Sequence, residues 1–271
     1  MKKIGFVDYY ISEWHANNYP GWIKTACDKL GLDFVLSYAW AERDISPLDG
    51  RSTDEWCNAF GVEKCATVDE LCERADFIIV LAPSNPEKHL SYAESVLKYG
   101  KPTYIDKTFA PDHATAKKIF ELGEKYSAPF FSSSALRYAN EIKDVSSTAT
   151  SVDVKGGGSS PEEYIIHQIE MLVKCIGIGS NGVSVSKENG AITAVVSYPD
   201  ERRATLFFSE AQDFEITVKD GMKEFVTAIS SPFFNNLIED ILRFFDTKKT
   251  SFDTRETLEV MKIREEFIKA L

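Results

Sequence analysis

The 271-residue chain has no uninterrupted apolar run of eighteen residues, so no membrane-spanning helix is expected. Met1-Lys2-Lys3 leads only into the short apolar stretch Ile4–Val7 before Asp8, too little for a secretory leader, and a cytoplasmic protein is expected. Basic residues are in deficit: 31 Lys and Arg against 42 Asp and Glu leave a net charge of −11, which repels a phosphate backbone, and no basic stripe offsets it. Neither nucleic acid nor membrane is therefore an expected partner. The five cysteines are odd in number and include no Cys-x-x-Cys pair. That argues against a disulfide framework or thiolate metal site and for small buried side chains. His-Glu-x-x-His, Gly-x-Ser-x-Gly and the phosphate-loop pattern ending Gly-Lys-Ser/Thr are missing too, and no metal site is expected.

What is present is an alternation of strand and helix patterns. Strands are expected at Lys3–Asp8, Asp33–Trp40, Lys64–Ala66, Asp76–Ala82, Pro102–Asp106 and Pro129–Ser132. The continuous apolar run Phe77–Leu81 suits a strand covered on both faces. Between the strands, Thr67 and Glu70 form a capping-box pattern, Asn85-Pro86 opens a helix that Gly100 closes, and Pro111–Lys125 reads as another helix. This grammar predicts an α/β fold: a Rossmann-type, doubly wound parallel sheet over residues 1–132. Residues 133–271 read differently. Helices are expected near Tyr138–Val145 and at Pro161–Ile176, Phe233–Asp246 and Thr254–Leu271. Grouped strands are expected at Thr148–Lys155, Val183–Ser186, Ala191–Tyr198, Arg203–Ser209, Phe214–Lys219 and Glu224–Ile229. That grouping predicts a C-terminal α+β domain with a mainly antiparallel sheet, serving substrate binding and oligomerisation. Because open sheet faces tend to pair, a homo-oligomer is expected.

In a doubly wound sheet the first strand-to-helix junction holds a pyrophosphate through Gly-x-Gly-x-x-Gly. Here Gly5 lies inside the strand, and the following Phe6 to His15 contains no glycine. Pro20 argues against a helix running continuously from residue 10, so a helix is expected over Tyr19–Leu30 after a long loop carrying Tyr9, Tyr10, Trp14 and His15. Asp8 and Glu13 stand where a phosphate wants positive potential. His15 and His113 have no partner identifiable from the sequence. The second strand ends at Glu42-Arg43-Asp44, where either acid can take ribose hydroxyls and Arg43 a phosphate, although such charges are common in surface loops. Pro83 to His89 follows a buried strand at its C-terminal end, where open parallel sheets take ligands; Asn85 serves equally as a helix cap and His89 as a first-turn residue. Lys107 lies just past the fifth strand, placed for proton transfer or simply solvated. Ser132 to Ser134 and Arg137 follow the sixth strand and read as substrate contacts or as hinge residues.

Over Thr67–Tyr138 the chain resembles the glucose–fructose oxidoreductase/inositol dehydrogenase (Gfo/Idh/MocA) family. The resemblance rests on Pro83-x-Asn85-x-x-x-His89 and on Gly100-Lys101-Pro102-Thr103-Tyr104-Ile105-Asp106-Lys107-Thr108. The latter looks like the family's Gly-Lys-Pro…Glu-Lys-Pro motif, with Asp106 for Glu and Thr108 for Pro. It continues through Gly156–Gly158, Glu163-x-x-x-His167 and the terminal helices with Phe244 and Phe245. The resemblance implies an NAD(P)-dependent oxidoreductase of a sugar, polyol or related hydroxy compound. NAD or NADP would meet Asp8, Tyr9, Tyr10, Glu42, Arg43, Pro83, Asn85, His89 and Asp106. His167 would accept the hydroxyl proton as hydride leaves for the nicotinamide, Lys107 would polarise that oxygen or share the proton, and Glu163 would orient or hydrogen-bond a small-molecule substrate also touched by Arg137 and Tyr164. Glu163 is equally the third helical residue of a capping box begun by Ser160. The missing glycines leave a second reading open: a cofactor-free relative that binds a small molecule or regulates a partner.

Overall fold

Ile4, Phe6 and Val7 are fully buried, which makes β1 (Lys2–Asp8) the middle of a six-stranded sheet. The computed structural model describes the whole chain apart from Ser146, Met222 and the side chain of Lys223. The other strands are β2 (Phe34–Ala41), β3 (Glu63–Lys64), β4 (Phe77–Val80), β5 (Thr103–Ile105) and β6 (Phe130–Phe131). Every pairing is parallel and the order is β3-β2-β1-β4-β5-β6, so chain direction across the sheet reverses between β1 and β4. Open α/β sheets place ligands at such a switch point, beyond the carboxyl ends of the strands. The doubly wound expectation is met. Gly5 has a packing reason: a Cβ there would lie 2.6 Å from Leu71 Cδ2, on α3 (Val68–Arg74).

The connecting helices depart from the sequence reading in detail. The first, α1, spans Trp14–Leu30 and runs through Pro20 instead of starting at Tyr19. An interior proline costs about 3 kcal/mol. Against that cost stand a cap on α1 and an apolar face that buries Ala16, Tyr19, Ile23 and Ala26. Helix α2 spans Thr53–Phe60. At α3, Thr67 Oγ1 accepts from Glu70 N at 3.0 Å, but the Glu70 carboxylate reaches Ala66 N, one residue outside the expected box. Asn85 makes no side-chain cap; a 3₁₀ turn, Pro86–Lys88, precedes α4 (His89–Leu97). Asp112 caps α5 (His113–Tyr126).

The chain divides into two compact units, Met1–Ser132 with Leu237–Ser251, and Ser133–Asn236 with Phe252–Leu271. The sequence reading placed all of 133–271 in one domain; Leu237–Ser251 corrects it. Helix α7 (Phe233–Thr247) sends Phe245 against Phe77 and Phe244 against Phe131, each with ring centroids 5.0 Å apart. Glu239 adds a 2.5 Å ion pair with Lys29. These contacts make most of α7 part of the first unit's core.

In the second unit β7 (Ser151–Gly156), β8 (Gly182–Glu188), β9 (Ala191–Ser197), β10 (Arg203–Phe208), β11 (Glu215–Asp220) and β12 (Lys223–Ala228) form a sheet ordered β12-β11-β7-β10-β9-β8. All neighbours are antiparallel except β7 and β10, in keeping with the mainly antiparallel expectation. Alternation buries Val152, Val154, Ala204, Leu206, Ile216 and Val218 on one face. That face meets α6 (Pro161–Ile176), which in turn packs on α8 (Arg255–Ala270). The helix expected near Tyr138–Val145 is replaced by two 3₁₀ turns, Ala135–Tyr138 and Asn140–Ile142. Among the described residues no helix is long and apolar enough to cross a membrane.

Candidate functional site

At the switch point of the first unit, Glu13 adopts an extended conformation before α1, and its carboxylate accepts from His15 N at 2.7 Å and from Ala16 N. A helix N-terminus presents unsatisfied N–H groups and a partial positive charge, the natural seat of a phosphate. Here the chain supplies its own anion. The adjacent Asp8 ends β1, buried, with Oδ1 accepting from Tyr9 N at 2.7 Å and Ala82 N at 3.0 Å while Oδ2 has no partner among the described residues. Burial, reinforced by the Glu13 charge, pushes the Asp8 carboxyl well above its usual range. Burial also raises Glu13, although His15 and the two capping N–H groups oppose it.

Asp106, just past β5, completes this cluster. It accepts from Tyr104 Oη at 3.1 Å and from its neighbour's amide, Lys107 N, at 2.9 Å, and it pairs with His15 Nδ1. Burial works to raise its pKa, but the His15 ring and the Lys107 charge bring it below the ordinary carboxylate value. The Tyr19 ring stacks on His15 at 5.3 Å. His15 is the residue the sequence reading missed: its partner lies 91 positions away, and only the strand order brings the ends of β1 and β5 to one sheet edge.

The remaining predicted contacts of the first unit are spread around this edge. The half-buried rings of Tyr9 and Tyr10 lie 5.7 Å apart, with the Lys88 ammonium 4.8 Å over Tyr9. Glu42 is held by Lys88 Nζ at 2.5 Å and Tyr92 Oη at 2.8 Å. Burial opposes its ionisation, but these two donors together with the Lys88 charge bring its pKa below the usual value. Arg43 is exposed, and its backbone N–H bonds Tyr9 O. Asn85 bonds Glu87 at 3.0 Å. Pro83 is half-buried, and its carbonyl accepts from the half-buried Lys107 Nζ at 3.4 Å. His89 corrects the sequence reading: fully buried, it sets Nε2 2.6 Å from Leu81 O and Nδ1 3.0 Å from Phe109 O. It pins two backbone segments together instead of facing a cofactor.

The edge does not fit a dinucleotide pyrophosphate held in the usual way. No glycine opens the turn, the Asp8 carboxyl is bonded to its backbone, and the Glu13 carboxylate fills the helix N-terminus. Burying a phosphate beside that carboxylate would add like-charge repulsion in a poorly screened place.

In the second unit, α6 carries Glu163, Tyr164, His167 and Glu170. Ser160 caps it, accepting from Glu163 N at 3.2 Å, which is the Ser160 half of the expected capping box. His167 is half-buried, its Nδ1 2.6 Å from Ser134 Oγ, its ring 5.8 Å from Tyr164 and 6.1 Å from Phe214. Tyr164 lies over Gly158, whose φ of +150° and absent Cβ leave room for the ring; a Cβ would stand 2.2 Å from it. Arg137, expected to touch substrate, is instead enclosed: Nε donates to Glu170 at 2.7 Å, Nη1 lies 2.8 Å from Glu256, and the guanidinium sits 4.1 Å over Phe252. Burial opposes its charge, yet the two carboxylates hold it firmly protonated. Its two acids leave it a structural role.

No family model matches the chain, and no curated protein matches it. Solved structures do. UDP-N-acetylglucosamine 3-dehydrogenase GnnA from Acidithiobacillus ferrooxidans is 12% identical with a TM-score of 0.78, covering 99% of this chain and 97% of its own. GenD2 from gentamicin A biosynthesis, solved in complex with NAD, is 11% identical with a TM-score of 0.78 over 100% and 95%. Biliverdin reductase from Synechocystis sp. PCC 6803, solved with biliverdin and NADP+, is 14% identical with a TM-score of 0.69 over 99% and 98%. The chain has the two-part fold of the dehydrogenases its sequence resembles, from end to end.

Proposed function

We propose that this chain is a cofactor-independent relative of the sugar-type dehydrogenases that binds a polar small molecule. The observation that carries the reading is the Glu13 carboxylate on the first turn of α1, in the seat where a dinucleotide phosphate would lie. With no glycine in the turn and the Asp8 and Glu13 carboxyls there, the space and the positive potential are reduced together. Calorimetric titration with NAD, NADH, NADP and NADPH tests it: no heat up to millimolar concentration is expected from folded protein, and micromolar binding of any of the four overturns it. A screen of sugars, polyols and sugar acids by thermal shift supplies the positive arm, because a ligand that binds only the folded state raises the melting temperature.

A second reading, an NAD(P)-dependent oxidoreductase of a sugar, polyol or related hydroxy compound, is favoured by the end-to-end fold likeness and by the presence of Lys107 and His167, to which the sequence resemblance assigns proton handling. It requires a phosphate cradle unlike the glycine loop. Under it, cofactor binding would be seen in the titration, and turnover would fall at least a hundredfold in Lys107→Ala and His167→Ala, the usual scale for losing a group that moves a proton.

A further inference from the structure

Ser134 lies directly before the 3₁₀ turn at Ala135–Tyr138 and is completely buried. Its hydroxyl has three capacities, two lone pairs and one hydrogen. One lone pair accepts from Leu136 N at 3.3 Å. The hydrogen needs an acceptor, and among the described residues the only one beside Ser134 Oγ is His167 Nδ1, at 2.6 Å. If Nδ1 carried the ring hydrogen, it would donate to Oγ, and the buried hydroxyl hydrogen would be left without an acceptor. Leaving a buried donor unpaired is costly. The same count disfavours the doubly protonated ring, whose Nδ1 is also a donor.

We infer that Ser134 is a positioning residue that fixes His167 with its ring hydrogen on Nε2. A nitrogen that already bears hydrogen cannot take a proton from a hydroxyl. Whatever Nε2 meets, within the folded chain or in a ligand, must therefore be an acceptor, such as a carbonyl, carboxylate or ether oxygen. This reverses the proton-accepting role that the family resemblance implies for the resting protein. The ligand class rests on the small-molecule reading above; the position of the hydrogen does not.

The neighbouring residues support a fixed geometry. His167 and Glu170 lie one turn apart on α6, and Glu170 is locked by Arg137, three residues past Ser134. The segment Ser133–Arg137 thus grips α6 at two successive positions, through Ser134 and Arg137, so the Ser134–His167 distance is set by a buried ion pair.

The test is a long-range proton–nitrogen correlation spectrum of the uniformly ¹⁵N-labelled, ligand-free full chain at pH 7 to 8. The chain has only four histidines, and His167→Gln identifies the signal in question. The expected result is Nδ1 at the shift of an unprotonated ring nitrogen and Nε2 at that of a protonated one. Ser134→Ala should move both toward the average of two exchanging forms, whereas Ser134→Thr, which keeps the hydroxyl, should restore the wild-type pattern. A protonated Nδ1 in wild type, or an unchanged pattern in Ser134→Ala, overturns the inference. Should Ser134→Ala fail to fold, the wild-type spectrum alone decides. Because no ligand is added, failure of the small-molecule reading would leave this result untouched.

Discussion

His15 Nδ1 and Asp106 Oδ2 form a buried pair that links the first turn of α1 to the end of β5, with the two side chains 8% and 1% exposed. Asp8 and Glu13 crowd the same place, and the three carboxyl groups answer pH in opposite senses. Asp106 has its pKa lowered in the folded state, so its contribution to stability is present above the unfolded value and is lost as pH falls through the folded one. Asp8 and Glu13 have theirs raised, so their contribution is full below the unfolded value and is lost as pH rises through the folded ones. Stability should therefore peak between these windows.

Asp8→Asn isolates one side of that balance. Asparagine keeps an oxygen for the Tyr9 and Ala82 amides but cannot ionise. Urea unfolding from pH 4 to 9 should show the variant more stable than wild type on the alkaline side, with the difference shrinking to nothing toward pH 4. Each unit by which folding raises the Asp8 pKa is worth about 1.4 kcal/mol of that difference. A constant offset at every pH would mean that Asp8 is already ionised in the folded protein.

Removing Arg137 leaves Glu170 and Glu256 facing each other without a counter-charge. Breaking a buried pair in this way costs about 3–5 kcal/mol, so Arg137→Ala should lower the urea midpoint sharply or prevent folding. Arg137→Lys should recover little, since one ammonium cannot reproduce a planar fork that serves two acids and sits over Phe252. Glu256→Gln should cost less than Glu170→Gln, because the Glu256 side chain is 15% exposed against 4%.

The sheets were the most legible part of the sequence, and for local reasons. The run Phe77–Val80 and the alternation in β7, β10 and β11 each reflect neighbours within a few residues. What depended on distant neighbours was hidden. Pro20 concealed the start of α1, because the cap that outweighs it is a glutamate whose role shows only when its backbone is extended. The allegiance of α7 was hidden because Phe244 and Phe245 find aromatic partners on β2, β4 and β6, more than a hundred residues earlier. The candidate site fared similarly. The missing glycine loop was read directly, but the Glu13 cap and the His15–Asp106 pair that replace it were not, and Arg137 read as a ligand contact because its two acids come from other helices.

All five cysteines are buried and free. Burial pushes the thiols of Cys57 and Cys65 up to about 11 and those of Cys72 and Cys175 up to about 12, and it raises Cys27 as well. Since the thiolate is the reactive form, native protein at pH 8 should react negligibly with a disulfide reagent, and all five should react once urea unfolds it. Rapid stoichiometric labelling of a single thiol in native protein would expose a reactive cysteine that burial does not account for.

Gly157 connects β7 to the segment that leads into α6, and it is hemmed in by main chain. A Cβ there would stand 2.2 Å from Ser209 O, 2.7 Å from Glu210 O and 2.9 Å from Gln212 N. Backbone atoms cannot swing aside as a side chain can, so Gly157→Ala must push two chain segments apart. A cost of about 3 kcal/mol, the upper end for overpacking, is expected in urea unfolding. Gly182, at the start of β8, is the control: nothing lies within 4 Å of its added Cβ, and Gly182→Ala should stay within about 0.5 kcal/mol of wild type. Because Gly157 sets how the chain enters the helix bearing His167, Gly157→Ala should also disturb the His167 ring signals, while Gly182→Ala leaves them in place. Equal stability of the two variants would mean that the close approach of β7 to the Ser209–Gln212 turn is not a feature of the folded protein.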